Sequence, residues 1–434
     1  MRNLNIKISK RFYVDILFGL LLLVTFLRYG IEINIPTVVM LGVSLLIITL
    51  GNSSEIITMC LCCIPLHSSF DYLYVIIYGS IVLFIKNYRK IKLDYMLITI
   101  FIIFLWEIFH SITGVFLIKQ LIGIMMPFIF VLVLHFCRGN KLNYHYMAMM
   151  FSRFVTIIGI NLFIRTLSKY GLNFTYAIQQ MGRLGHLETE SSILGGQINP
   201  NSLGVLCVLA ITMLLQNYLY NKKEKKVILY ILVLILIGML TISKTYFVLL
   251  VLTGCLFVVE RKGSAKDKIK TLMIISIVAI FGGIILINIF PSVVETFVER
   301  WNVKDLSSGR FEIMEAASEA LKTHPKILWF GIGLQNYSEE VLKYVYYAPH
   351  NVIHEIIFSW GMPGLILFIL YIISLVAEAK KVNKNIKIAN YIPLIIIVAK
   401  AIAGHWITSN YTMLTISLIY ISLFFDFTND KKIS

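Results

Sequence analysis

Lys222–Lys262 reads KKEKKVILYILVLILIGMLTISKTYFVLLVLTGCLFVVERK. Two apolar runs, near 227–242 and 245–259, meet at the tight turn Ile242-Ser243-Lys244-Thr245, and their far ends are rich in lysine and arginine. The runs are continuous, whereas the strands of a membrane β-barrel alternate apolar and polar residues. No water reaches the core of a bilayer, so each run must satisfy its own backbone as a helix. The stretch is predicted to cross a membrane and return, leaving both basic ends on one side.

The rest of the chain extends this pattern. Of 434 residues, 58% are hydrophobic and 14% charged, more apolar surface than a soluble core absorbs. The expected fold class is all-α: a polytopic integral membrane protein in a single transmembrane domain over residues 1–434, with about fourteen spans (12–14). They fall near 12–31, 36–50, 55–66, 70–85, 95–110, 114–136, 145–167, 201–219, 227–242, 245–259, 271–290, 351–377, 389–404 and 411–426. The third, and the first half of the twelfth, are short enough to be re-entrant. Arg2, Lys7, Lys10 and Arg11 precede the first run as in a signal peptide. Arg28-Tyr29-Gly30 stands where a cleavage site would, so a retained first helix is expected. Cys60, Cys62, Cys63, Cys137, Cys207 and Cys255 lie in or beside apolar runs and imply no disulfide framework.

A net charge of +16 invites a nucleic-acid reading, but its distribution argues against one. Seven segments are separated from one another by even numbers of spans: the N-terminal tail, 86–92, 138–141, 222–226, 260–270, 380–387 and the C-terminal tail. Together they hold 25 of the 39 basic residues. Fourteen spans put all seven on one side, which the positive-inside rule makes the cytoplasm. Both termini are then cytoplasmic. The charge orients the protein and needs no polyanion.

Two substantial loops fall on the opposite side, at 168–200 and 291–349. Loops this long between membrane helices are uncommon unless functional. In the larger, Ser307-Ser308-Gly309-Arg310 precedes an amphipathic stretch with Phe311, Met314, Ala317 and Leu321 on one face, expected as a short helix lying on the membrane. Ser308 is the expected N-cap. Arg310 then occupies the first turn, where a cation opposes the helix dipole unless an anion such as phosphate bridges it to the turn. Pairing with Glu312 is the alternative. Arg300 offers a second anion contact, or a surface pair with Glu299. Leu328-Trp329-Phe330-Gly331-Ile332-Gly333 reads as a stiff apolar turn anchored at the interface. In the smaller loop Arg183 has no local partner, and Asn199-Pro200-Asn201 reads as a helix start. Lys244 sits at the outer boundary, where snorkelling to headgroups is its plain reading.

The last outward element is His350–Gly364, HNVIHEIIFSWGMPG. A titratable His opens a helix at the membrane surface, either as a group satisfied by a nearby carbonyl or as a reactive one. His354 lies one turn on, so the pair also suggests zinc, but no third ligand is evident and the spacing is not that of a zinc-protease helix. Glu107, Lys119, Arg153, Glu355 and Lys400 fall inside spans. Glu355 is placed to support the His face. Glu107 is expected to pair structurally with Lys119 or Lys400.

These elements resemble the O-antigen ligase and polysaccharide polymerase superfamily. His350-Asn351, nine residues, Gly361, two residues and Gly364 match its His motif. Arg183 with Asn199-Pro200-Asn201, Ser243-Lys244-Thr245, and Ser308-Gly309-Arg310 with Gly331-Ile332-Gly333 occur in its order. The likeness covers about 180–380. The family's turn often reads Ser-Arg where this chain has Ser243-Lys244, a point charge in place of a fork. The resemblance implies a glycosyltransferase of the bacterial inner membrane without metal or other cofactor, its active site on the extracytoplasmic face. It implies undecaprenyl-diphosphate-linked oligosaccharides as donor and acceptor, with a flippase and a chain-length regulator as companions. Arg183 and Arg310, backed by Lys244 and Arg300, are expected to stabilise the leaving diphosphate. His350 is expected to act as base, and Asn351, Asn199 and Asn201 to bind substrate.

Three functions compete: a polymerase joining lipid-linked repeat units of a capsule or O-antigen, a ligase moving a finished glycan to another acceptor such as lipopolysaccharide core, and a lipid-linked oligosaccharide flippase. A flippase would line a central cavity with charge and keep its loops short. Here the candidate residues gather at one surface and one loop is long.

Overall fold

The structure is a computed structural model. It describes residues 10–66, 72–88, 94–113, 118–138, 142–173, 199–220, 225–261, 263–273, 309–334, 337–382, 387–402, 404–407 and 411–424, with isolated positions at 176–177, 180, 183–184, 284, 288, 291, 294–295 and 298–299. Among the described residues all regular structure is helical. The helices are α1 (Lys10–Tyr29), α2 (Thr37–Leu50), α3 (Ser53–Cys63), α4 (Tyr72–Asn87), α5 (Tyr95–Thr113), α6 (Ile118–Phe136), α7 (Tyr144–Tyr170), α8 (Pro200–Tyr220), α9 (Lys225–Leu240), α10 (Lys244–Glu260), α11 (Arg310–Thr323), α12 (Pro325–Phe330), α13 (Tyr337–Glu340), α14 (Val352–Val382), α15 (Ile388–Ile402) and α16 (Thr412–Phe424). Every expected span has a helix beneath it except 271–290, most of which lies outside the described residues.

Five helices are long and apolar enough to cross a bilayer unaided, those at 10–29, 95–112, 144–170, 200–220 and 352–382. Most of the others are shorter apolar helices of 10–17 residues. The side chains that point away from the bundle are themselves apolar: Phe101, Leu105 and Ile112 of α5, Leu229, Leu232 and Leu236 of α9, Val248 and Val251 of α10. In water such faces would aggregate; against acyl chains they are at no disadvantage. α7 and α8 bury most of their residues and form the centre, with α8 packed on α7, α9, α10 and α15.

Side-chain bonds tie the helix ends into two groups. At the end with the lysine-rich connections, Lys86 Nζ donates to Gly51 O at 2.9 Å, Asn143 N to Ser54 Oγ at 2.9 Å and Tyr220 OH to Asn390 Oδ1 at 2.6 Å. At the opposite end the bonds run between α5, α8, α10, α14 and α15, and every described candidate residue lies there.

Candidate functional site

The site is framed by a break in α14. Gly361 adopts φ 69°, ψ −172°, so a short helix, 352–360, stops and a longer one continues from Met362. The turn Trp329–Gly333 lies against that break. Ile332 N donates to Phe358 O at 2.7 Å and Gly333 N to Ser359 O at 2.8 Å. α5 holds the junction from below: buried Glu107 accepts from Trp360 Nε1 at 2.7 Å and Leu334 N at 2.9 Å, while Trp106 Nε1 donates to Trp360 O at 3.1 Å. Of the two lysines expected to pair with Glu107, the side chain of Lys119 lies outside the described residues. The Glu107 carboxylate ties α5 to the break, and Lys400 Nζ instead donates to His405 O.

His350 stands two residues before the helix, half-buried. Asn351 caps it: Oδ1 accepts from Ile353 N at 2.9 Å, and Nδ2 donates to Ile402 O at 2.9 Å, the last carbonyl of α15. One turn on, Glu355 is wholly buried. Its Oε2 accepts from Trp406 N and Ile407 N, both at 2.9 Å, and its Oε1 lies 3.4 Å from His405 Nδ1. The His405 ring packs on that of His350, centroids 4.3 Å apart and planes 55° apart. Neither nitrogen of His350 has a hydrogen-bond partner among the described residues. Burial first, then the His405 and Arg310 charges, push its pKa down to about 4 against the opposing pull of Glu355. The imidazole is neutral at physiological pH and its lone pair is available.

Arg310 is the first residue of α11. The helix begins one residue later than expected: its N-cap is Gly309, at φ 79°, and Ser308 lies outside the described residues. Arg310 makes no hydrogen bond or ion pair among the described residues, Glu312 included, and burial lowers its pKa. The helix does not simply lie on a membrane as expected. Ala317, Ala320 and Leu321 pack with Ile327, Val341 and Phe358 into a small core that the loop shares with α14, and Phe311 points outward. His354 helps clamp it there, with Nε2 2.9 Å from Ser318 Oγ. Trp329 and Phe330 stay exposed, as an interfacial anchor requires.

A second cluster forms around Arg183. Its Nε donates to Thr241 O at 3.0 Å and its Nη2 to Asn201 Oδ1 at 3.0 Å; Ser243 Oγ donates to the same amide oxygen at 2.9 Å. Leu184 N donates to Leu240 O at 2.9 Å. These bonds hold the α9–α10 turn, where Ile242 takes a positive φ of 46°, a conformation that a β-branched residue adopts only under constraint. Ser243 caps α10 and Lys244 is its first residue. Asn199 caps α8 through Ser202 N at 2.8 Å.

The structure therefore assembles two groups at one end of the bundle, Arg310–His350–Asn351 and Arg183–Asn199–Asn201–Lys244. α15 packs against both α10 and α14 and so runs between them. Arg300, and most of the 168–200 loop, lie outside the described residues. Sequence reasoning missed His405. It sits in the short link after α15, with no motif around it, and only its partner Glu355, a buried-span carboxylate, carried a signal. His350, His354 and His405 notwithstanding, no group of three or more His, Cys, Asp or Glu side chains among the described residues has the geometry to hold a metal ion.

Fold and site together define a helical membrane protein with its candidate cations, and an imidazole that has no hydrogen-bond partner among the described residues, at one end of the bundle. A particular likeness then follows: residues 228–369 match the family model described as O-antigen ligase. The matched segment includes Lys244, Arg310, His350, Asn351, Glu355, Gly361 and Gly364, and stops short of His405. No curated protein matches the chain.

Proposed function

We propose that this protein is a polysaccharide repeat-unit polymerase of the bacterial inner membrane. It transfers a growing glycan from undecaprenyl diphosphate to a sugar hydroxyl of another lipid-linked repeat unit. The observation that carries the reading is Arg310 beside His350: a half-buried guanidinium with no described partner next to a neutral imidazole with none. An unpaired, partly desolvated cation calls for an anion, and a diphosphate supplies one. The acceptor oxygen bonds to the anomeric carbon, and the bond from that carbon to the diphosphate oxygen breaks, its electron pair leaving on the diphosphate. The hydroxyl proton goes to His350. Arg310 and Arg183, with Lys244 and Arg300 behind them, offset the charge that develops, without a metal. The bound diphosphate also offsets the cation that depresses His350, so the base strengthens once donor is present. Asn351, Asn199 and Asn201 shape the sugar side of the site. The basic connections favour cytoplasmic termini and an extracytoplasmic site, where a flippase would deliver the donor and a chain-length regulator would act.

The family description favours a second reading, a ligase that moves the finished glycan to a different acceptor. One experiment separates the two. In the native host, His350→Ala is expected to abolish polymer growth, leaving single repeat units on the final acceptor. If full-length polymer instead accumulates on the carrier lipid, the ligase reading replaces the polymerase one. Normal polymer on the normal acceptor from a well-expressed variant ends both.

A further inference from the structure

We propose that His405 is a positioning residue of this reaction: pinned by the buried Glu355 carboxylate, its imidazole stands against His350 and fixes the plane in which His350 meets the acceptor hydroxyl. This rests on the reading of His350 as base.

The geometry of the link after α15 supports it. Four contacts run to residues 402–407 from the start of α14: Asn351 Nδ2 to Ile402 O, Glu355 Oε2 to Trp406 N and to Ile407 N, and Glu355 Oε1 near His405 Nδ1. Lys400 Nζ adds a fifth, to His405 O. A wholly buried carboxylate is costly unless fully engaged, and here both of its oxygens meet this link. The link sets the His405 ring against His350, centroids 4.3 Å apart. His350 has no hydrogen bond among the described residues to fix its plane, so ring packing sets its orientation. Among the described residues, the charged and titratable groups that act on His350 are Arg310 from α11, Glu355 from α14 and His405 from the link after α15. When His350 takes up a proton, Arg310 and His405 oppose the new charge and Glu355 offsets it. His405 therefore affects both the orientation of the base and its proton affinity.

The test reads His350 directly, without substrate. The purified full-length chain in lipid nanodiscs is treated with diethyl pyrocarbonate, which modifies neutral imidazole, across an acid-to-neutral pH series. Modification of each histidine is read by mass spectrometry. In His405→Gln the midpoint for His350 is expected to rise by roughly one pH unit, equivalent to about tenfold in proton affinity. His405→Phe, which keeps the ring volume, should raise it too and covers the case in which the first variant does not fold. In the native host, His405→Gln should lower polymer formation by about tenfold or more. An unmoved midpoint in both variants overturns the proposal. Normal polymer from His405→Gln alongside lost polymer from His350→Ala overturns the positioning role alone. Normal polymer from both overturns the base that it serves.

Discussion

Gly331 and Gly361 each lie against the backbone just before the other. A Cβ on Gly361 would fall 2.3 Å from Trp329 O, and one on Gly331 would fall 2.5 Å from Ser359 O. Both residues also hold positive φ, 69° and 74°. The contact lets the outer loop seat on the break in α14, and so fixes how α11, with Arg310 at its start, approaches His350.

Gly361→Ala should therefore be severe. The left-handed backbone alone costs about 1–3 kcal/mol for a residue with a side chain, and the clash is with backbone, which cannot rotate away. The purified variant is expected to unfold at a lower temperature and to lose polymer formation. Gly309→Ala is the control: it has a positive φ of 79° but open space around its Cβ, so strain is its only penalty.

Glu107 tests the other support of the same junction. Replacing it with Leu strands the buried Trp360 indole N–H, at about 1–3 kcal/mol, and the part-buried Leu334 N at less. Glu107→Gln keeps one acceptor oxygen and should be milder. Thermal unfolding should rank wild type above Gln above Leu. Equal values for the two variants would mean that water replaces the carboxylate.

Much of the fold was legible in the sequence because a membrane leaves few choices. Continuous apolar runs such as 227–242 must be helical, and their ends fell within a few residues of the helices observed. The candidate site was legible where the sequence left an isolated group, as at Arg310 or His350, which the structure sets at the same end of the bundle. It was not legible where two distant segments meet. Nothing local to Glu107 shows that it accepts from Trp360, 253 residues on, and nothing around His405 shows that Glu355 reaches back for it. The break at Gly361 was foreshadowed only by Pro363 and by two glycines in the motif, since a helix period runs through it.

The pH dependence of the reaction should carry the mark of His350. The base must be neutral, so activity is lost as pH falls through its pKa. With that pKa at about 4 in the free enzyme, the acid limb of kcat/KM should lie well below the ordinary histidine range. Arg310→Ala removes one depressing charge, so the limb should move to higher pH even as the maximal rate falls. Arg310→Lys keeps the charge, loses the fork and should leave the limb near its wild-type place with partial activity. A limb that ignores the charge at position 310 would separate the two residues.

The direction of the chain across the membrane is testable on its own. If the lysine-rich connections face the cytoplasm, an impermeant thiol reagent applied to intact cells should label a Cys placed at exposed Lys322 and spare one placed at Ser264. Both belong in a background without native cysteines, because Cys255 is itself exposed. Labelling at Ser264 alone would invert the topology and move the site to the inner face.

Arg183 has two possible duties, and Asn201 separates them. Its guanidinium holds the strained α9–α10 turn through Thr241 O and Asn201 Oδ1, which is a structural task. In the proposed reaction it also offers charge to the diphosphate. Asn201→Asp preserves an acceptor for both Arg183 and Ser243, so the turn should keep its bonds and the protein its thermal stability. The new carboxylate places an anion about 3 Å from the guanidinium, within the range of a charge-assisted hydrogen bond, and competes with any phosphate for it. If Arg183 meets the donor, the apparent KM for lipid-linked donor in membranes from the native host should rise several-fold, with unfolding temperature unchanged or higher. If its only duty is the turn, both quantities should stay at wild-type values. Asn201→Ala reverses the pattern: it removes the acceptor for Arg183 and Ser243 and should lower stability by about 1 kcal/mol or more, whichever duty Arg183 performs.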